Sequence, residues 1–463
     1  MQRSFKYRYL ILLLLMLVPL CGMAQSSSIN AYSPYSMYGP GELITPGSVQ
    51  IRSMGGIGIA KRTAGQVNTL NPASASVTPR KSFIFDVSLD GTHYRNSQPK
   101  YDSNGKFMGK SMGVINSGNI HNIAIAFPLA KGLGMSLNIS PYSSVAYKVN
   151  TTDQNEDNWA NIGRVQYGFE GIGDISEVKL SIGWAPIQKL SIGLAAKYYW
   201  GYIERKYQTT VTDQIIGLGN YSSTYGNDKY VVNNFKLQAG IQWSIIHNET
   251  RILTLGATYD LGGNLNPEMR RSISTSNNIN QSDNVLHDDN TLELRVPHEV
   301  GVGVYFRDRT IAVGADYAFA AWGSGNSSYV ESSGVNSIAV AYTNTHTLKL
   351  GFEITPRPTD VRNYLNRISY RVGARLGNYY QTFGGEGLNQ LAITAGLGFP
   401  VKIWGASSIN LGFEYGRISS NRDVMVNAQK VGLVTQNYYK ISIGFSLFSG
   451  DTSDYWFVRQ KFD

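Results

Sequence analysis

The sequence predicts an all-β fold: a transmembrane antiparallel β-barrel of about 14 strands with an N-terminal plug, or hatch, segment. Three observations predict it. Apolar side chains alternate with polar or bare ones over long segments, as a sheet with one oily face requires. The connections between these segments alternate between very short and long. And 49 Gly and 30 Tyr accompany only 16% charged residues in a 463-residue chain, a composition suited to tight turns and amphipathic β surfaces.

At the N-terminus, Arg3, Lys6 and Arg8 precede the apolar run from Leu10 to Leu20, and Gly22-Met23-Ala24 places small residues where a signal peptidase reads, so residues 1–24 are expected to be a secretory signal peptide. The apolar run is about half the roughly 20 residues needed to span a bilayer as a helix, and no later segment is longer or more apolar. The single cysteine, Cys21, follows Leu20 rather than the small residue of a lipoprotein site. It leaves with the leader, and the mature chain is then expected to have neither a disulfide nor a thiol nucleophile. The formal charge is +9, and removing the three basic leader residues leaves about +6, dispersed along the chain. No nucleic-acid footprint is expected from that distribution.

Residues 25–81 hold Ser33-Pro34-Tyr35, Tyr38-Gly39-Pro40-Gly41-Glu42, the glycine-rich stretch from Arg52 to Ile59, and Asn71-Pro72-Ala73. This stretch is too short for a strong core of its own. A barrel of 14 strands has a lumen wider than side chains alone fill, so the segment is assigned as its plug. Glycine and alanine allow the backbone to pack closely on a wall, and Pro72 fixes the turn that delivers the chain into the first strand.

The barrel proper is expected over residues 82–448. Strands are placed near 82–92, 118–129, 133–148, 174–184, 189–205, 230–246, 251–261, 292–306, 309–320, 343–356, 365–378, 390–402, 407–418 and 437–448. In 292–306 the even positions read Leu292, Leu294, Val296, His298, Val300, Val302, Val304 and Phe306, against odd positions that are polar or glycine apart from Pro297 and Tyr305. Connections alternate strictly, with Lys131-Gly132, Pro186-Ile187 and Arg307-Asp308 as short turns and 93–117, 149–173, 206–229 and 262–291 as long loops. Tight periplasmic turns and long outer loops characterise an outer-membrane barrel. A soluble sandwich of this length would divide into domains joined by linkers, and 82–448 shows none. Trp184, Tyr198-Tyr199-Trp200, Trp322, Tyr379-Tyr380 and Tyr438-Tyr439 are candidates for interfacial girdles. Residues 449–463 form a periplasmic C-terminal tail whose Tyr455, Trp456, Phe457 and Phe462 are candidate anchors or barrel-assembly signals.

Two windows resemble the FadL-type outer-membrane transporters of long-chain fatty acids and hydrophobic compounds. One is Arg52-Ser53-Met54-Gly55-Gly56-Ile57-Gly58-Ile59-Ala60 followed by Asn71-Pro72-Ala73, similar to that family's hatch; the other runs from Val296-Pro297-His298-Glu299 through Gly314-Ala315-Asp316-Tyr317 to Trp322. The resemblance implies a hatch motif of Arg52, Gly55, Gly56, Gly58, Asn71, Pro72 and Ala73. It also implies passive uptake of a fatty-acid-like hydrophobic small molecule, which passes the hatch and leaves sideways into outer-membrane lipid through a kinked strand. In the third strand, Pro141 removes a ladder donor, which makes Asn138, Ser140, Pro141 and Tyr142 the candidate lateral opening.

Chemistry is not expected. The six histidines are scattered without metal-ligand spacing, and His287-Asp288-Asp289 falls in a solvated loop. The glycine cluster at 55–58 has no βαβ context for phosphate binding. The expectation is therefore a non-enzyme with no cofactor and no metal. The alternative function is a non-transporting barrel subunit of an outer-membrane secretion or protein-assembly complex, with envelope proteins as partners. A filled lumen together with an exposed apolar patch would favour that alternative over transport.

Overall fold

A computed structural model of the chain describes residues 32–448, except 81, 103, 154–155, 162, 213–222, 249, 276–277, 285–293, 325–339, 402–406 and 427–428. The leader, the C-terminal tail and His287-Asp288-Asp289 lie outside the described residues.

The period-two segments form fourteen antiparallel wall strands. They are β1 (Ile84–Tyr101), β2 (Phe107–Ala130), β3 (Leu133–Thr152), β4 (Arg164–Ile187), β5 (Leu190–Thr212), β6 (Thr224–His247), β7 (Ile252–Asp260), β8 (Glu299–Arg307), β9 (Ile311–Ala320), β10 (Thr345–Ile354), β11 (Ser369–Phe383), β12 (Glu386–Val401), β13 (Ser407–Ser419) and β14 (Thr435–Phe448). Each pairs with its sequence neighbours, and β1 pairs with β14 from Ile84↔Phe448 to Ser97↔Thr435, which closes the sheet into a barrel. The alternation has a clear physical outcome. On β6, Phe235, Leu237, Ile241 and Trp243 point outward, with Phe235 70% exposed, while Gln238, Gln242 and Ser244 are buried on the other face. A continuous outward apolar surface of this kind is stable only in lipid.

Several strands are longer than the sequence pattern indicates. β2, β4 and β6 each contain 24 residues, more than twice the 9–11 that cross a bilayer. Most of the expected loops 93–117, 149–173 and 206–229 are thus strand. Their residues do not keep a strict alternation, and Phe107, Met108, Met112 and Val114 are exposed apolar residues among them. Within 262–291, Glu268–Thr275 continues the wall by pairing with β6 and with Asn278–Asn284. The expected strand 292–306 begins only at Glu299: Pro297 cannot donate to a ladder, and Arg295–Val296 instead pair with Gly263–Asn264.

The aromatic candidates divide between the two faces. Trp184 and Tyr439 are exposed, as a girdle requires, but Tyr199, Trp322, Tyr379, Tyr380 and Tyr438 are buried in the interior. Tyr438 and Tyr439 split between the two faces as strand alternation requires, whereas Tyr379 and Tyr380 both turn inward because the β11–β12 ladder carries a register shift between Asn378 and Thr382. Trp322 stacks on Tyr380 at 4.4 Å, within a cluster that also holds Tyr35 and Phe383.

Candidate functional site at the plug and the wall seam

Residues 32–80 are mostly buried and meet inward-facing residues of strands around the ring. Its first anchor is a 3-10 helix, Pro72–Val77, started by Asn71, whose side chain accepts from the Ala73 N–H at 3.0 Å. Asn71 Nδ2 donates to Ile59 O within the segment and to Ile241 O on β6. Close approach explains the bare inward positions there. A Cβ on Gly193 would lie 2.3 Å from Ala73 N, and one on Gly240 would lie 2.1 Å from the Asn71 Oδ1.

The second anchor joins the two windows that are far apart in sequence. Gly58 and Ile59 donate their N–H groups to Asp316 Oδ2 on β9, at 2.6 and 2.9 Å. Gly303 and Gly314 make room, since a Cβ on Gly303 would meet the Asp316 carboxylate at 2.1 Å and one on Gly314 would meet Ile57 at 2.6 Å. Opposite, Gly55 sits at φ 71°, donates to Thr394 Oγ1 at 2.9 Å and leaves no space for a side chain, because a Cβ would lie 2.4 Å from Leu350 O. Gly56 follows at φ 84°.

The third anchor is ionic. Arg52 grips Asp90 on β1 with both guanidinium nitrogens, at 2.6 and 2.8 Å, and donates back to Gly47 O at 3.1 Å. His121 lies 3.1 Å from the same carboxylate. Asp316 lies in the second of the two windows, whereas no spacing rule singles out Asp90 or His121, whose only signal is that each is a polar residue on an inward position.

Charged groups line the rest of the interior. Arg375 pairs with Glu414 at 2.7 Å, Arg371 with Glu353 at 2.5 Å, and Lys197 bridges Asp260 and Glu177. Within the segment itself, burial lowers the Lys61 ammonium to about 8 and raises the Glu42 carboxyl to about 7, where Gln436 donates to it at 3.1 Å. A cavity of about 250 Å³ remains between segment and wall, with Lys179, Lys197, Glu177, Glu299 and Lys349 among its lining residues beside Pro141 and Tyr142.

The four β3 residues sit at a seam. β2 and β3 pair only from Ile123↔Ile139 to Ala130↔Leu133. Beyond that row β3 carries a register shift between Pro141 and Ser143 on its β4 side, and its free edge is taken by the internal segment: Glu42↔Ser144, Leu43↔Ser143, Ile44 N–H to Tyr142 O at 2.9 Å and Ser33 N–H to Ala146 O at 3.1 Å. Asn138 and Ser140 are buried inward and bonded to each other at 3.0 Å. The hatch residues and the seam residues are therefore in different places: Arg52 to Gly58 brace β1 and β9–β12, Asn71 to Ala73 brace β4–β6, and Asn138 to Tyr142 meet the earlier stretch 42–44.

Comparison with known proteins adds the family. No curated protein matches the chain. Among solved structures, a FadL homologue from Pseudomonas aeruginosa superposes with a TM-score of 0.55 at 12% identity, covering 88% of this chain and 99% of that one. The Ralstonia pickettii toluene transporter TbuX gives 0.54 at 13% identity over 87% and 98%. The Pseudomonas putida toluene transporter TodX gives 0.52 at 14% identity over 88% and 98%. The fold is that of a FadL-type outer-membrane barrel, and its lipid-facing wall places the protein in the outer membrane as a multi-pass barrel. The BamG family model matches residues 6–463, nearly the whole chain, and the chain therefore belongs to the BamG family.

Proposed function

We propose that this protein is a non-transporting barrel subunit of an outer-membrane protein-assembly or secretion complex, with the plugged barrel serving as a scaffold for envelope partners. The chemistry of the interior carries the reading. A hydrophobic solute crossing this lumen would have to displace a segment held by a buried Arg52–Asp90 pair and by a carboxylate on two backbone amides, then pass Lys179, Lys197 and Lys349. Apolar matter gains nothing in such a passage, whereas the β1–β2 hairpin exposes Met108, Met112 and Val114 as a surface for protein. The family name BamG points to the same class. Native mass spectrometry of protein gently extracted from its own outer membrane tests this. A stoichiometric complex with other envelope proteins, together with a fall in other outer-membrane barrels when the chain is depleted, is expected. A lone barrel carrying a fatty-acid-sized mass overturns the reading.

Uptake of hydrophobic small molecules is the second reading, favoured by the interrupted seam at Pro141 beside the cavity and by the toluene transporters that share the fold. Under it, deletion of the chain slows entry of a labelled lipophile and leaves other outer-membrane proteins at normal levels.

A further inference from the structure

Basic residues that are scattered along the sequence gather at one end of the barrel. The short turns, which face the periplasm in an outer-membrane barrel, expose Arg80, Lys131, Lys189, Arg251, Arg307 and Arg309. The connection from β10 to β11 adds Arg357, Arg362 and Arg367, and the underside of the internal segment adds Arg62. Among the described residues of these turns the acids are Asp308 and Asp360. Ten positive charges against two negative ones give this end about +8, where the mature chain as a whole carries about +6, so everything else is slightly acidic. Both acids are already engaged: Asp308 faces Arg251 at 3.7 Å, and Asp360 is bonded within its own loop.

One of these connections is built unlike the rest. Lys131-Gly132 and Gln188-Lys189 reverse the wall in two residues, whereas fourteen, 355–368, separate β10 from β11. Asp360 holds the loop in one shape: its Oδ1 accepts from the Arg362 and Asn363 N–H groups at 2.9 and 3.1 Å, and its Oδ2 accepts from Asn366 Nδ2 at 2.7 Å. Asn363 caps the 3-10 helix Tyr364–Arg367, and the Tyr364 hydroxyl donates to Pro400 O at 3.1 Å. Connections longer than about 12–15 residues are uncommon in compact folds and are most often functional. This one presents Val361, 93% exposed, and Leu365, 61% exposed, interleaved with its three arginines.

The charge extends beyond the lipid boundary. Arg62 donates to Ser191 and Ser244, both buried inward positions, at 3.0 and 3.4 Å, and Arg307 stands two residues after the inward-facing Tyr305 on β8. Phospholipid headgroups reach the outer rim of the wall, whereas groups under the lumen are reached from the periplasm by a soluble molecule. The chain's own tail cannot neutralise this face, because 449–463 carries three acids against two bases. The turn residues outside the described set, Lys81, Glu249 and Lys402, add one further positive charge. A field of this sign steers and selects an oppositely charged surface, over a screening length of about 10 Å at 0.1 M salt.

We propose that the periplasmic face docks an acidic protein domain, with Val361 and Leu365 entering an apolar slot on it while Arg62, Arg309 and the arginines of 355–368 meet its carboxylates. This rests on the assembly-subunit reading and specifies the chemistry of the partner. The test places a photo-crosslinking amino acid at Val361 or Leu365, and at Met112 or Tyr225 on the extracellular side, in the protein in its native membrane. It also extracts the complex from cells carrying Arg309→Glu, Arg357→Glu and Arg362→Glu together, or Lys106→Glu, Lys110→Glu and Lys206→Glu together as the same charge change at the other end. Heat-modifiable gel mobility checks that each barrel is folded. Adducts from 361 and 365 to an Asp- and Glu-rich peptide of one component of the co-purified complex are expected. Retention of that component should fall about tenfold in the periplasmic variant and stay unchanged in the extracellular one. The native complex should lose it as salt rises from 0.1 to 1 M and the screening length shrinks to about 3 Å. If the periplasmic variant does not fold, the crosslinks and the salt titration of the native chain decide. A periplasmic variant that folds and keeps the complex intact overturns the docking face and leaves the assembly reading standing. So do adducts from the extracellular positions alone, or adducts from 361 and 365 to lipid, to residues 402–406 or 449–463 of this chain, or to a second copy. A barrel that extracts alone overturns the function reading itself.

Discussion

The Asp316 anchor gives a quantitative test of how the internal segment is held. In Asp316→Ala the Gly58 and Ile59 amides, 2.6 and 2.9 Å from the carboxylate in the native protein, lose their acceptor in a site closed to water. Hydrogen bonds to a charged group contribute about 1.5–3 kcal/mol each, so local stability of the segment is expected to fall by about 3–5 kcal/mol, allowing for partial relaxation. At about 1.4 kcal/mol per tenfold change, amide exchange at Gly58 and Ile59 should accelerate by roughly two to three and a half orders of magnitude. Asp316→Asn keeps an oxygen in place and loses mainly charge, so its effect should be about 1–2 kcal/mol. The assay is exchange mass spectrometry on the detergent-purified barrel, with limited proteolysis of residues 32–80 in parallel. The wall strands should remain protected in both variants. Unchanged exchange at 58–59 in Asp316→Ala would refute the argument, because it would mean that the packing around Ile57 and Met54 holds the segment without the carboxylate.

Three further outcomes follow from the same geometry. Arg52→Met leaves Asp90 buried without its bidentate partner and should cost about 3–5 kcal/mol, seen as increased protease sensitivity of the segment. Gly193→Val drives a side chain into the Pro72-Ala73 backbone, which cannot yield as a flexible side chain would; a loss of about 1–3 kcal/mol or more is expected by thermal unfolding, with a smaller loss in Gly387→Val, where the added carbon meets nothing. Glu42 has a raised folded pKa, so its contribution is complete below its unfolded value near 4.5 and is lost as pH rises to about 7. Protection of the segment should therefore decline across that window by about 3 kcal/mol at most, and the decline should disappear in Glu42→Gln.

Much of the fold was legible because strand alternation is a local property. Phe235, Leu237, Ile241 and Trp243 declare a lipid face without reference to any other element, and fourteen such segments with alternating connections leave only a closed barrel as an economical solution. Strand lengths were not legible, because above the membrane both faces meet water and the alternation stops while the ladder continues. Aromatic positions misled for a related reason: Tyr379 and Tyr380 look alike in sequence, and what they face is decided by a plug cluster built from Tyr35 and Tyr38 more than 300 positions earlier.

The sequence by itself determined the architecture and the presence of an internal segment, since hydrophobic periodicity and small-residue content act over a few residues. Only the tertiary structure decided what holds that segment and where β3 turns from β2 toward residues 42–43. The bond from Gly58 to Asp316, the Arg52–Asp90–His121 group and the pairing of β3 with residues 42–43 each depend on closing the ring, which brings distant inward positions into one low-dielectric lumen.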